Sequence, residues 1–293
     1  MEKFSSPIQR SEIHDLVVNR HDEDFLRQNR LDSFESLWAN KSGTIIKNIK
    51  PRSVARIQIT RNDRVRTLYL KTHKTEFTPF RQILCFLGFK KSVSQGMLEF
   101  ENICAFRKKG IPTVHPVAAG EKRINFFWTK SFLLTEDFHP YISLEYLLKT
   151  NPDFLKGPER KIRRKILIKK LSSMAKKMHK SGFNHRDFNA THILLNYNGK
   201  SQEPALAFFD LQRVEKYSIL RIRWKIKSLA RLNYSLPGTI FTEQDRLNLL
   251  LYYHGKKKPG IIERVQWFWI LQKTARIKRH TEKNQIRKPT PSE

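Results

Sequence analysis

The sequence predicts a two-lobed α+β chain, a small β-rich lobe with one helix followed by a larger helical lobe. Three observations carry this expectation. Residues 43–70 alternate β-branched and polar side chains around turn signals, and residues 158–182 repeat apolar side chains at helical spacing. Between that helix and the basic helical segments of the C-terminal part, "HILLNYNG" and "EPALAFFDL" form a short strand pair. The boundaries read as an N-terminal extension over 1–40, a β-rich lobe over 41–138, a helical lobe over 139–280 and a disordered tail over 281–293.

Each element follows in order. Residues 1–40 are polar and mixed, with a helical signal only at "SFESLWAN". "GTIIKNI", the turn "KPRS", "VARIQITR", the Asn62-Asp63 turn and "VRTLYLK" make three antiparallel strands. "SVSQGMLEFENICAFRKKG" (92–110) is a helix whose apolar face carries Leu98, Ile103 and Phe106, stopped by Gly110. Two more strands follow, with a charged turn at Glu121-Lys122-Arg123, and "SLEYLLKT" is a short helix. The helix of 158–182 aligns Ile162, Ile166, Leu167, Leu171, Met174 and Met178 on one face, with Pro near its start and Gly at its end. Residues 215–280 are mostly helical and strongly basic.

Composition narrows the partners. Cys85 and Cys104 sit among apolar residues and read as reduced core positions, since two cysteines make no disulfide framework. The N-terminus has no apolar h-region, and no apolar run is long enough to span a bilayer. Lys plus Arg (57) exceed Asp plus Glu (27) by 30. An excess of that size calls for a polyanionic partner: nucleic acid, an anionic membrane surface or a phosphorylated substrate. Residues 156–180 hold 11 basic side chains and one Glu, and "IIERVQWFWILQKTARIKRH" joins an aromatic cluster to flanking cations, as in an interfacial helix. The plain reading of both stretches is a solvated face and packing onto the helical lobe.

Four positions are arranged for phosphoryl transfer. That reaction needs a cation on the nucleotide phosphates, a carboxylate for Mg²⁺ and a carboxylate to orient the attacking hydroxyl. Lys71 ends the strand "TLYLK", Glu99 or Glu101 on the next helix is the second, Asp187 follows the long helix, and Asp210 ends the strand "LAFFD". Lys71, Asp210 and Asp187 suit those roles in that order, with a helical Glu to hold the lysine.

"HRD" before an apolar run, with an Asp after a strand 23 residues on (210 − 187), resembles the catalytic and metal loops of the protein-kinase-like fold. More narrowly, "SFLLTEDFHPYISLEYLL" (131–148), "HRDFNATHILL" (185–195) and "DLQR" (210–213) resemble the lipopolysaccharide kinase family, over about Ile45 to Tyr253. The resemblance implies an ATP- and Mg²⁺-dependent kinase acting on a heptose or Kdo hydroxyl of the lipopolysaccharide inner core. It implies a cytoplasmic protein, peripheral at the inner face of the inner membrane. It also implies nucleotide bound between the lobes, with "LLTEDF" as linker and adenine near Glu136–Phe138.

On this expectation Asp187 is the base or orienting group, Lys71 the phosphate clamp, and Glu99 its partner in preference to Glu101. Asp210 is the main metal ligand. His192, where a kinase carries an amide, is a second metal ligand, a phosphate contact or a packing residue. His185 is structural, and Arg186 pairs with a nearby acid. Three departures stand out: no Gly-rich loop, Gln212 where relatives carry histidine, and Ser228 where an acid would brace the catalytic loop. Without that Gly-rich loop, the phosphates would meet backbone N–H groups around Arg52-Ser53, with help from Arg52 or Arg56. Two other classes compete. One is a kinase-like binding module with little catalysis; the other is a nucleic-acid-binding protein, against which stands the lack of a readout module.

Overall fold

The computed structural model describes residues 6–40, 43–61, 64–76, 78, 94–197, 203–216 and 221–286. The Asn62-Asp63 turn, Cys85 and the tail beyond Ile286 lie outside the described residues. The chain forms two compact units: Met1–His139 with Asp210–Gln212, and Pro140–Phe209 with Arg213–Glu293.

The first unit is built on a seven-stranded antiparallel sheet in the order β1-β2-β6-β7-β5-β4-β3. The strands are β1 (Arg10–Ile13), β2 (Leu16–Asn19), β3 (Thr44–Ile49), β4 (Arg52–Arg61), β5 (Arg64–Glu76), β6 (Pro116–Arg123) and β7 (Trp128–Glu136). Helices α1 (Glu23–Gln28), α2 (Phe34–Trp38) and α3 (Gln95–Lys108) complete it. The strands predicted over 43–70 and 113–138 are present.

Within the expected N-terminal extension, residues 6–40 are part of the first unit. β1 and β2 form a hairpin that continues the sheet through β2–β6 pairing. Ile13, Leu16, Val18, Leu26, Leu31, Phe34 and Leu37 belong to one buried core with Leu68, Leu70, Phe132 and Leu134. Two four-residue strands are too short for alternation to register in sequence, and α2 depends on its Ser33 capping box and on Phe34 packing 5.5 Å from Phe132.

The period of two along β5 divides its side chains. Leu68 and Leu70 enter that core, while Lys71 and His73 point to the opposite face and are buried there. α3 packs on β5, β6 and β7. A Cβ on Gly96 would lie 2.5 Å from the Phe132 carbonyl oxygen, and the Gly96 N–H donates to Ser131 Oγ at 3.2 Å. Glycine therefore permits the close approach of helix to strand.

The second unit holds α4 (Leu144–Thr150), α5 (Lys161–Lys180), α6 (Arg221–Ser235), α7 (Glu243–His254) and α8 (Ile261–Ile286). Its strands are β8 (Ile142–Ser143), β9 (Phe183–His185), β10 (Ile193–Asn196), β11 (Ala205–Phe208) and β12 (Val214–Lys216), arranged as β11-β10-β8 and β12-β9. α8 extends through Ile286, into the segment expected as tail. On α5, Leu167, Leu171, Met174 and Met178 are buried as predicted, but Ile162 is 68% exposed. Arg164 turns inward instead, donating to the Leu155 carbonyl at 2.7 Å and to the Gly157 carbonyl, and pairing with Asp245 at 3.2 Å. Three satisfied polar partners outweigh one isoleucine in the first helical turn.

Candidate active site

In the first unit, Lys71 leaves β5 into a buried setting, where Nζ lies 2.7 Å from Glu99 Oε1 on α3 and 3.9 Å from Asp210 Oδ1. Burial works against the ammonium, but the charges of Glu99 and Asp210 more than offset it and hold the Lys71 pKa above the ordinary lysine value. Glu101 is exposed, so α3 presents Glu99 and not Glu101 to the lysine. The same helix fixes the segment that carries Asp210. Gln95 Oε1 accepts from Gln212 Nε2 at 2.8 Å, and Asn102 Nδ2 donates to the Leu211 carbonyl at 2.8 Å. Gln95, Glu99 and Asn102 recur at steps of four and three, one stripe of the helix. Asp210 has φ 55, a left-handed backbone that aspartate tolerates better than most side chains.

Two further groups face this lysine's neighbourhood. Arg52 Nη2 lies 3.8 Å from Asp210 Oδ2, and its buried Nε has no hydrogen-bond partner among the described residues. His73 stands directly across from Arg52 in the β4–β5 ladder, buried, and its Nε2 likewise has no partner among the described residues. Burial, reinforced by Arg52 and Lys71, lowers its pKa to about 4, so the ring is neutral near pH 7. The backbone around Arg52-Ser53, expected to offer N–H groups to the phosphates, is paired in register with β3 and with β5.

The linker residues are partly engaged. The Glu136 N–H donates to the His115 carbonyl at 2.9 Å, and its carboxylate accepts from Arg66 Nε at 3.3 Å. The Asp137 N–H donates to the Thr67 carbonyl at 2.9 Å. The Phe138 ring stacks on Tyr69 with centroids 5.9 Å apart.

In the second unit, Asp187 follows β9 and is held from several sides. Arg213 Nη1 lies 3.0 and 2.8 Å from its two carboxylate oxygens, and Arg231 Nη1 of α6 lies 3.2 Å from Oδ1. His185 Nδ1 accepts the Asp187 N–H at 3.2 Å, which leaves Nε2–H to donate to the Phe209 carbonyl at 3.3 Å. His192 Nδ1–H donates to the Asp187 carbonyl at 2.8 Å, and its ring stacks on His185 at 5.5 Å. Ser235 Oγ accepts from the Ala190 N–H at 2.9 Å. Arg186 pairs with Glu215 at 3.0 Å, the expected acid.

Ser228 does not brace this loop. It is buried against His179, whose Nε2 lies 2.8 Å from its hydroxyl oxygen, while the hydroxyl donates to the Lys225 carbonyl. Arg213, in the "DLQR" segment, and Arg231 supply the bracing expected of an acid at position 228.

A buried lysine–glutamate pair, an aspartate in left-handed backbone and an arginine-held HRD aspartate on this α+β chain define a phosphotransferase of the protein-kinase-like type. The profile of the lipopolysaccharide kinase (Kdo/WaaP) family matches residues 35–253, well over half of the chain, and the chain belongs to that family. It is 28% identical over 250 residues to the lipopolysaccharide core heptose(I) kinase WaaP of Escherichia coli, covering 80% of this chain and 90% of that protein. The Pseudomonas aeruginosa protein of the same name is 28% identical over 166 residues, 56% of this chain and 61% of its own length. The solved structure of WaaP in complex with acyl carrier protein matches with a TM-score of 0.65 at 25% identity, covering 89% of this chain and 98% of that one.

Proposed function

We propose that this chain transfers the γ-phosphoryl group of ATP to a heptose or Kdo hydroxyl of the lipopolysaccharide inner core. The observation that carries this reading is the buried 2.7 Å Lys71–Glu99 pair with Asp210 3.9 Å from the same ammonium. Lys71 clamps the nucleotide phosphates, Glu99 fixes its direction, and Arg52 adds a second cation. Adenine lies against the Phe138 end of the linker, since the N–H groups of Glu136 and Asp137 are already donated within the sheet.

The donor chemistry suits Mg²⁺. Asp210 offers hard carboxylate oxygens faced by cations, and magnesium in phosphotransferases is held by one or two carboxylates plus substrate phosphates. When bound, the ion neutralises charge on the phosphates. Imidazole is a poor ligand for it, and His192 already spends Nδ1–H on the Asp187 carbonyl, so we assign His192 to holding the loop. Asp187 orients the sugar hydroxyl and takes its proton. Two arginines hold its carboxylate in place, and positioning is most of what a loose transition state asks of the protein.

His192, Ser228 and the absent Gly-rich loop favour a module without turnover; the first two are engaged in internal hydrogen bonds that a working loop also accommodates. We further propose that the protein works at the cytoplasmic face of the inner membrane. No helix among the described residues is long and apolar enough to cross a membrane. α8 exposes Ile261, Ile262, Val265, Phe268, Trp269 and Leu271, and basic residues near an anionic surface contribute about 1 kcal/mol each. The test is phosphate transfer from radiolabelled ATP to purified lipopolysaccharide core, with mass spectrometry locating the phosphate. Asp187→Ala and Asp210→Ala are each expected to lose on the order of 10²- to 10⁴-fold in rate. Transfer at the wild-type rate by either variant sinks the mechanism.

A further inference from the structure

The groove between α6 and α8 in the second unit is a cavity of about 590 Å³ into which Arg186, Arg223, Lys227, Arg231, Lys273 and Arg276 converge. Among the described residues no carboxylate lines it. Arg186 and Arg231 have acidic partners elsewhere, Glu215 and Asp187. For Arg223, Lys227, Lys273 and Arg276, no ion pair exists among the described residues. Burial, and then mutual repulsion among Arg223, Lys273 and their neighbours, hold the Lys227 ammonium below its ordinary pKa, and Lys273 is lowered in the same way. A fold gains nothing by gathering like charges around a cavity. Such a cluster is stabilised when a polyanion fills it.

Two features say which polyanion. Arg231 lines the groove and also donates to Asp187 Oδ1 at 3.2 Å, and Arg186 immediately precedes Asp187 in the chain. An anion seated here therefore lies beside the group that orients the acceptor hydroxyl. An adjoining cavity of about 560 Å³ shares Arg223, Lys227, Lys273 and Arg276 but adds Ile222, Ile226 and Trp269. A charged polar groove running into a cation-rimmed apolar one matches an amphiphile with an anionic head. Extended nucleic acid would instead call for stacked bases along a basic track.

We infer that this groove is the acceptor subsite and that it reads negative charge already present on the sugar chain, carboxylate or phosphate groups flanking the reacting hydroxyl. This rests on the functional reading above. It places the chain after the glycosyl transfer that installs a carboxylate-bearing sugar, or after a phosphorylation of the lipid-linked sugars. A neutral sugar with the correct hydroxyl is a poor substrate.

The test uses the full chain and the variant Lys227→Gln/Lys273→Gln/Arg276→Gln. Calorimetric titration with deacylated inner-core oligosaccharide measures binding without turnover, and steady-state transfer gives KM for oligosaccharide and for ATP. The triple variant is expected to lose at least 10-fold in oligosaccharide affinity and to raise its KM equally, with KM for ATP within 2-fold. Lys227→Arg/Lys273→Arg, which keeps the charge, is expected to stay within 3-fold of wild type and guards against misfolding. Dephosphorylated and carboxyl-reduced oligosaccharides identify which anion is read; wild type must weaken on at least one, while the triple variant is indifferent. Unchanged oligosaccharide binding by the triple variant overturns the inference, even if it binds anionic vesicles or an acidic protein less well. Absence of any transfer by wild type refutes the functional reading alone, because the titration still decides the groove.

Discussion

Arg213 Nη1 faces both carboxylate oxygens of Asp187, at 3.0 and 2.8 Å, while Arg231 Nη1 approaches Oδ1 at 3.2 Å. The candidate proton acceptor is thus held by two cations. Its geometry is fixed more firmly than a lone loop carboxylate would be.

Replacing Arg213 tests this hold. Arg213→Ala is expected to lower kcat by about 10- to 100-fold, equivalent to roughly 1–3 kcal/mol of transition-state stabilisation, with KM for ATP little changed. Arg213→Lys should recover only part of this, because an ammonium lacks the planar fork that steadies a carboxylate. A kcat for Arg213→Ala equal to wild type would remove the arginine from the mechanism.

The Lys71–Glu99 pair makes a stability prediction independent of activity. Both side chains are nearly inaccessible to solvent, at 5% and 0% exposure. Removing one partner leaves a buried charge without its counter-ion and costs on the order of 3–5 kcal/mol, although Asp210 offsets part of this for Lys71. Glu99→Gln and Lys71→Met should each lower Tm clearly. The double variant should lie closer to wild type than the sum of the two, with all three inactive. Additive losses in Tm would contradict this coupling.

Much of this arrangement is legible in sequence, and the parts that are not have physical causes. Asp187 and Asp210 declare themselves just beyond the short strands β9 and β11, while Lys71 does not end its strand as expected but lies within β5, which runs on to Glu76. Glu99 and Glu101 are not separable on spacing alone; packing of α3 on the sheet buries the first and exposes the second. The hairpin at 10–19 escapes notice because its strands are four residues long and gain their stability from β6 and from Phe34. Ser228 misleads for a different reason. Its position invites a role in the catalytic loop, but a hydroxyl is satisfied by the nearest acceptor and donor, which are the Lys225 carbonyl and His179.

Gly96 is the position where backbone approach controls the lysine's partner. An added Cβ would meet the Phe132 carbonyl oxygen at 2.5 Å, and backbone cannot yield as a flexible side chain can. Gly96→Ala should therefore push the start of α3 off β7 and carry Glu99 and Gln95 with it. The expected result is a higher KM for ATP and a loss of Tm corresponding to about 1–3 kcal/mol. Leu98→Ala, on the same helix, serves as a control that leaves the helix–strand spacing intact. If Gly96→Ala leaves KM for ATP and Tm unchanged, the close approach has no functional weight.

His179 gives the pH dependence of stability. It is buried, with Nε2 2.8 Å from Ser228 Oγ and Nδ1 3.1 Å from the Tyr253 hydroxyl. Because Ser228 donates to the Lys225 carbonyl, Nε2 carries the proton and Nδ1 accepts from Tyr253, an arrangement satisfied by neutral imidazole. Burial, with the Lys225 charge adding to it, lowers the pKa to about 3 from an ordinary 6.5. Above pH 6.5 both the folded and unfolded forms are neutral and the residue contributes no slope. As pH falls from 6.5 towards 3 the unfolded chain takes up a proton that the folded one refuses, so stability falls, by roughly 1 kcal/mol per pH unit. Calorimetric unfolding at pH 5 should therefore show about one proton fewer taken up by His179→Gln than by wild type. The Tm of the variant should also fall less steeply between pH 7 and pH 5. Identical proton uptake in the two proteins would mean that His179 is charged in the folded state.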